Sequence, residues 1–188
     1  MILAGGIAAL AGCNRPDSSS ETTTRAPTAA QHVATACRDV DTARMPDPGA
    51  SRPASGYTPL AVRDSLLREI DSGQERWRAR RPESYQVTVV AACYCRDAGQ
   101  PVELVVRGDS VIASRDTTGQ QSWPDDWRTG LHIAGLFREA RQYACDSTRT
   151  TRVTLDPTLG YPTRLRTESR LEMTDTDLEY RVLSFGER

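Results

Sequence analysis

Five cysteines give this chain its most distinctive potential chemistry. Cys93 and Cys95 stand close together in the stretch AACYCRD, and the others are Cys13, Cys37 and Cys145. Structural zinc sites usually draw their ligands from Cys-x2-4-Cys or His-x3-5-His spacings, and redox pairs prefer two intervening residues. None of these spacings occurs in the chain, so the pattern favours disulfide bonds over a metal or redox site.

The first cysteine follows an apolar run that ends in small residues, MILAGGIAALAG, and polarity rises directly after it. This segment resembles a bacterial lipoprotein signal, although no basic residue precedes the run. The resemblance implies that residues 1–12 are removed and that Cys13 carries palmitate, which would anchor the protein to a membrane of the cell envelope. In a host with two membranes, Asn14 resembles the sorting pattern for the periplasmic side of the outer membrane.

In an exported chain the four remaining cysteines are expected to form two disulfides, because the compartment is oxidising. Three connectivities are possible. Consecutive residues on one face of a strand lie about 6.5–7 Å apart, at the upper limit for a bridge, so a Cys93–Cys95 bond would need a bulge. The favoured connectivity joins Cys145 to one of these two and gives Cys37 the other.

Composition places the folded part of the chain in its C-terminal two thirds. Residues 13–57 are rich in Ser, Thr, Ala and Pro and offer few large apolar groups, which predicts a disordered tether. Residues 58–188 have room for a single domain. The 24 basic residues are all Arg and stand against 25 acidic residues, so the net charge of -1 gives no field that would attract a nucleic acid.

Hydrophobic periodicity within 58–188 predicts two helices and six strands. The first helix begins with a cap at Thr58 and ends before Pro82, and the second follows a cap at Thr129. The predicted strands are Tyr85–Cys93, Val102–Arg107, Val111–Arg115, Arg152–Leu155, Thr163–Glu168 and Leu178–Phe185. Short links between successive strands indicate an antiparallel sheet. The expected fold is α+β, in the order helix, three strands, helix, three strands, with the helices packed on one face of the sheet.

Several short motifs match a known family pattern. They are Tyr85 on the first strand, the Cys93-x-Cys95 pair, the Gly108 turn with Val111, Leu136-Phe137, Gly160-Tyr161-Pro162, and Asp177 and Glu179 before Tyr180. On these residues the run from Trp77 to Phe185 resembles domain-of-unknown-function family 6174, which comprises small bacterial secreted and lipoprotein domains. Val87 replaces a second aromatic residue of that pattern. The resemblance implies an α+β domain in the envelope and supplies no catalytic residue.

Two groups of residues are candidates for binding a ligand. Trp123 and Trp127 flank Asp125 and Asp126, an arrangement that suits a sugar or a cation, although loop tryptophans more often cover the edge of a core. In an extended stretch, Asp175, Asp177 and Glu179 would share one face and attract Ca²⁺ weakly. They lack the glycine and distal glutamate of a calcium loop, so a solvated strand edge is the default interpretation.

Evidence for catalysis is sparse. Asp125 with Asp126, or Glu168 with Glu179, would serve as a general acid and base only at a suitable separation. No nucleophile elbow accompanies His132, so no catalytic residue and no cofactor is predicted. The favoured hypothesis is a non-enzymatic lipoprotein domain that binds an envelope protein or a small ligand through the open sheet face and the tryptophan loop. The alternative is an envelope hydrolase or metal-dependent enzyme that uses the carboxylates.

Overall fold

The computed structural model describes residues 26–38, 40, 58–93, 98–116, 130–169 and 177–188. The helices in these ranges are α1 (Ala29–Ala36), α2 (Leu60–Arg80) and α3 (Ile133–Cys145). The strands are β1 (Ser84–Cys93), β2 (Pro101–Arg107), β3 (Ser110–Asp116), β4 (Arg149–Leu155), β5 (Pro162–Ser169) and β6 (Leu178–Glu187). The strands form one antiparallel sheet in the order β3-β2-β1-β6-β5-β4. This confirms the predicted α+β fold, to which α1 adds a helix.

Helices and sheet share one core on a single face of the sheet. Alternate residues of the two strands β1 and β2 are fully buried there, namely Tyr85, Val87, Val89, Ala91, Val102, Leu104 and Val106. The helices meet them with Leu67, Ile70 and Trp77 of α2 and with Ile133, Leu136, Phe137 and Ala140 of α3. The intervening residues of these two strands lie on the other face and are mostly partly exposed, although Val90 is buried there as well. Burial in these strands thus follows the period of two in the sequence, with Val90 as an exception.

The helix starts differ from the predicted ones. The N-cap of α2 is Pro59, and Thr58 instead ties this end of the helix to the approach to β4. Its N–H donates to the Ser147 carbonyl at 2.7 Å, and its hydroxyl donates to the Arg149 carbonyl. Helix α3 begins at Ile133 with His132 at the N-cap, whereas the predicted cap, Thr129, lies outside the described residues. His132 is buried.

A contact between two glycines fixes α2 against the turn before β5. A Cβ atom on Gly160 would lie 2.5 Å from the Gly73 carbonyl oxygen, and one on Gly73 would lie 2.8 Å from the Gly160 oxygen. Gly160 also has a φ of +83°, which L side chains rarely adopt. Asp156 supports the turn, since its Oδ1 accepts the N–H groups of Thr158 at 2.9 Å and Leu159 at 2.6 Å. Helix and turn therefore approach more closely than any side chain would allow.

An aromatic cluster lies beside this contact. The Trp77 ring meets Tyr85, Tyr161 and Phe185 edge-on, with centroids 5.4, 5.8 and 5.8 Å away. Tyr161 and Phe185 stack with centroids 4.8 Å apart. Burial raises the pKa of Tyr85 to about 12, so its hydroxyl stays protonated at neutral pH. The cluster joins α2 to strands β1 and β6 and to the Gly160 turn.

The prediction of a disordered tether is wrong over α1. Thr28 caps this helix and forms a capping box with Gln31, and Val33 is buried against the core. Cys37, directly after α1, is bonded to Cys145, with the Cα atoms 5.6 Å apart. The rest of the predicted tether, residues 13–25, 39 and 41–57, lies outside the described residues.

The disulfide corrects the favoured connectivity, which joined Cys145 to Cys93 or Cys95. Helix α1 packs on α2 and thereby brings Cys37 to the C-terminal end of α3, where Cys145 lies. No structure was predicted around Cys37, so there was no reason to expect Cys37 close to Cys145. Cys93 is disulfide-bonded as well, and Cys95 lies outside the described residues.

Candidate functional site

Seven of the predicted site residues lie outside the part of the chain that the structure describes. These are Cys13, Cys95, Trp123, Asp125, Asp126, Trp127 and Asp175. The ligand surface predicted at Trp123 and Trp127 and the lipid anchor predicted at Cys13 therefore stay predictions. The candidates that can be placed are Asp177, Glu168 and Glu179, and the last two lie on the sheet face that the helices leave open.

The acidic residues near β6 do not converge on a metal position. The Ser169 N–H donates to Asp177 Oδ1 at 3.1 Å, while Glu179 is held by arginines of β5 and β6. Across the described ranges, no three His, Cys, Asp or Glu side chains are grouped so that they could hold a metal ion.

In the same ranges, no helix combines the length and the apolar character that crossing a membrane requires.

Four arginines are brought together on the open face of β4, β5 and β6. Arg152 lies opposite Arg166 in the β4–β5 pair. Arg164 lies opposite Arg181, and Arg166 opposite Glu179, in the β5–β6 pair. Side chains alternate along each strand, so all of these project away from the helices. Together with Glu168, the six residues Arg152, Arg164, Arg166, Arg181, Glu168 and Glu179 form what we call the arginine face.

Glu179 lies among the arginines of this face. Arg164 donates to it with two groups, Nε to Oε1 at 3.1 Å and Nη2 to Oε2 at 2.9 Å. Arg181 Nε lies 3.1 Å from Oε1 of the same carboxylate. The hydrogen bonds from Arg164 are the main reason that the pKa of Glu179 is lowered, and the charges of Arg164, Arg181 and Arg166 add to the effect. A carboxylate held ionised in this way is poorly suited to act as a general acid.

The arginine face carries more positive than negative charge. Arg166 Nη2 pairs with Glu168 Oε1 at 2.7 Å. The face thus has two negative charges, those of Glu168 and Glu179, against the four positive charges of its arginines. Arg152 is exposed and has no hydrogen bond or ion pair with any described residue. Guanidinium groups suit carboxylates because their planar forks donate two parallel hydrogen bonds. The face can therefore accept a further anionic group.

Sequence reasoning named the glutamates of this face and missed its arginines. A signal was available, since Arg164 and Arg166 stand two residues apart in a predicted strand and share its face with Glu168. The same alternation places Arg152 and Arg181 on one face of their own strands. Which strands are neighbours could not be read from the sequence, so the grouping emerged only with the sheet order.

Two comparisons with known proteins bear on the identity of the chain. A search of the curated proteins finds no match. A protein-family model described as a family of unknown function matches residues 69–187, from within α2 to the end of β6. The match covers more than half of the chain, including the glycine contact and the arginine face, whereas α1 lies outside it. The chain therefore belongs to DUF6174, a family of unknown function.

Proposed function

We propose that the chain is a lipid-anchored, non-enzymatic binding domain of the bacterial cell envelope, and that its arginine face binds an acidic segment of a partner protein. The small residues before Cys13 support acylation at that position. The Cys37–Cys145 disulfide supports export, since such bonds persist in oxidising compartments. In a host with two membranes, Asn14 supports a place on the periplasmic side of the outer membrane.

The observation that carries the binding role is the excess of exposed arginine on a paired sheet. Strands β4, β5 and β6 are hydrogen-bonded to one another, so their side chains leave the backbone at fixed spacings. A preformed surface loses less conformational entropy on binding than a flexible one. Facing side chains on adjacent strands stand about 4.5–5.5 Å apart. An acidic segment with several carboxylates would find Arg152 and the partly neutralised Arg166 and Arg181 within reach.

The alternative, an enzyme built on the carboxylates, has less support. The described acidic residues of the predicted sets are each engaged, Glu179 with two arginines, Glu168 with Arg166 and Asp177 with a backbone N–H. A general base needs a free lone pair within hydrogen-bonding reach of its substrate proton. The ion pairs of Glu168 and Glu179 compete with that role.

A site-specific cross-link in the native envelope tests the partner. A photoreactive amino acid at Thr154, which is exposed beside Arg164 on the arginine face, should capture a protein with an acidic segment. The matched control is the same amino acid at Glu69, which is exposed on α2. Capture of the same proteins from both positions, or of none from Thr154, would contradict the proposed binding face.

The captured partner then allows a quantitative test. Arg152→Gln should weaken binding of the purified partner by about three- to tenfold, because charged hydrogen bonds at a partly exposed site contribute about 1 kcal/mol. The matched control is Arg107→Gln, which removes an exposed arginine at the hairpin between β2 and β3. Raising the salt concentration should slow association with the native chain, since exposed charges are screened. Equal losses in the two variants would argue against a role for the arginine face.

The lipid anchor is tested separately from partner binding. Palmitate labelling of the native chain, with Cys13→Ser as the control, should give label only in the former. A native chain that stays uncleaved and unlabelled would remove the anchor from the proposal and leave the binding experiment standing.

A further inference from the structure

A second concave surface lies on the helical side of the molecule. A cavity of about 650 Å³ opens between α1, α2 and α3. This size falls within the range of small-molecule sites, about 300–1,000 Å³. Its apolar wall includes Ala36, Val40 and Phe137, and its polar wall includes Arg78, Arg138 and Arg141. The helices cover one face of the sheet and the arginine face is the other, so the two surfaces are separate.

The three guanidinium groups of the cavity differ in their partners. Arg141 Nη2 donates to Asp71 Oδ1 and lies 3.2 Å from Gln74 Oε1, so its charge is matched and its position fixed. Arg78 and Arg138 are exposed at the rim and have no hydrogen bond or ion pair with a described residue. Two unmatched cations at a concave surface concentrate a positive potential there. Such a potential selects for an anionic group.

The apolar wall adds a second requirement on the ligand. Ala36, Val40 and Ala134 line this part of the cavity and are partly exposed, while Phe137 belongs to the buried core. This wall therefore offers carbon surface and not hydrogen-bonding groups. A fully hydrated anion such as inorganic phosphate would leave this wall uncovered. A ligand that satisfies both walls has an anionic head and an apolar body.

We propose that the cavity between α1, α2 and α3 binds a small amphiphilic anion, with its carboxylate or phosphate head between Arg78 and Arg138 and its apolar body against the wall that includes Val40 and Ala134. Helix α1 supplies one wall of the site, and the Cys37–Cys145 disulfide holds that helix in place. The site shares no residue with the arginine face, so it is independent of the proposed function.

Titration calorimetry on the full-length chain carrying Cys13→Ser tests the site without lipid or detergent. Octanoate and octyl phosphate are the anionic probes, and octanol is the neutral control. We expect at least one anion to bind with one-to-one stoichiometry and octanol to bind at least about tenfold more weakly. The preferred anion identifies the head group as a carboxylate or a phosphate.

Variants distinguish this cavity from other basic surfaces. Arg78→Gln and Arg138→Gln should each weaken binding of the preferred anion about tenfold, because each removes one charged hydrogen-bond donor. Neither arginine has a described partner, so both variants should fold. The control Arg152→Gln changes the arginine face and should bind like the parent chain. Absence of one-to-one binding for both anions, or an equal loss in the Arg152→Gln control, would overturn the proposal.

A size-filling variant tests the apolar wall without changing charge. Ala134 lies in the first turn of α3 and lines the same cavity. Ala134→Leu should weaken binding of the octyl probes by filling space that their chains need. Unchanged affinity in this variant would contradict placement of the apolar body in the cavity.

Discussion

Helix α2 is held on two sides by contacts of different kinds. On one side Gly73 meets Gly160 at a distance that leaves no room for a Cβ atom on either residue. On the other side α1 is attached through polar groups, since His32 Nδ1 lies 2.8 Å from Asp64 Oδ1 and Nε2 lies 3.3 Å from Asp71 Oδ2. One contact depends on shape and the other on charged side chains, and the Cys37–Cys145 disulfide also ties α1 to the end of α3.

The difference follows from how much apolar surface each partner can bury. The Gly160 turn is continuous with the aromatic cluster around Trp77, so close packing there joins a large core. Helix α1 has eight residues, and Val33 is its single fully buried one. A helix this short is marginal in water by itself. The disulfide from Cys37 compensates, because it keeps α1 close to its docking position.

The largest expected effect comes from Gly160→Ala on the side that depends on shape. The new Cβ atom would meet the Gly73 carbonyl oxygen at 2.5 Å, and the residue would keep a φ of +83°. Left-handed strain of about 1–2 kcal/mol and overpacking of about 1–3 kcal/mol predict a loss of about 3–4 kcal/mol in the free energy of unfolding. Urea denaturation monitored by tryptophan fluorescence measures it.

Gly99→Ala is the matched control for this variant. Gly99 has a φ of +80°, and a Cβ atom there would have no neighbour within 4 Å. With no neighbour among the described residues, it should show the strain alone, about 1–2 kcal/mol. Equal losses at the two glycines would show that the close approach of α2 and the turn contributes nothing to stability.

The second prediction concerns the covalent link to α1. The disulfide joins residues 108 apart in the chain, and loop closure alone would predict a contribution of about 4–5 kcal/mol. Because α1 buries little apolar surface and can detach without unfolding the rest, Cys37→Ala with Cys145→Ala should cost less, about 2–3 kcal/mol in the free energy of unfolding. Urea denaturation of the double variant is a cleaner measurement than adding a reductant, which would also open the bond of Cys93. A loss as large as that of Gly160→Ala, with α2 and the sheet also destabilised, would make α1 part of the core.

The elements that bury apolar surface could be predicted from the sequence. Alternation in β1 and β2 and the apolar stripe of α2 reflect one shared core, and each pattern is visible in a single segment. Gly73 lowers the intrinsic helix propensity of α2, and nothing in the neighbouring sequence accounts for a glycine at this position. The structure explains the glycine at position 73, because Gly160, from a segment far along the chain, approaches α2 closely there.

The elements attached by polar groups were harder to predict. Helix α1 buries one apolar side chain, so its composition resembles that of a tether, and the capping box of Thr28 and Gln31 was its remaining local signal. Because α1 was not predicted, the disulfide partner predicted for Cys145 was wrong. The grouping of Arg152, Arg166 and Arg181 depends on strand order in the same way, and no local pattern encodes that order.

A smaller effect is expected from His32→Gln on the side that depends on charge. Glutamine cannot reach both Asp64 and Asp71 as the imidazole ring does, so about 1 kcal/mol of the docking free energy of α1 should be lost. Protection of the α1 amides against hydrogen exchange should fall, while protection in α2 stays the same. Ala34→Gln, at an exposed position of the same helix, is the control. Equal protection in both variants would show that the two carboxylates do not hold α1.

The smallest predicted effect is a loss of folding stability at low pH, when Asp64 becomes protonated where α2 meets α1. The hydrogen bond from Arg68 is the main reason that the pKa of Asp64 is lowered, and His32 adds to the shift. A carboxyl group with a lowered pKa stabilises the folded state above its unfolded pKa, near 3.9, and this stabilisation is lost as the pH falls through the folded value. The stability difference between native chain and Asp64→Asn should therefore be constant at neutral pH and shrink on acidification below about pH 4. Arg68→Gln should reduce that pH dependence more than His32→Gln does. A difference that stays constant down to pH 2 would show that the charge on Asp64 does not stabilise the folded state.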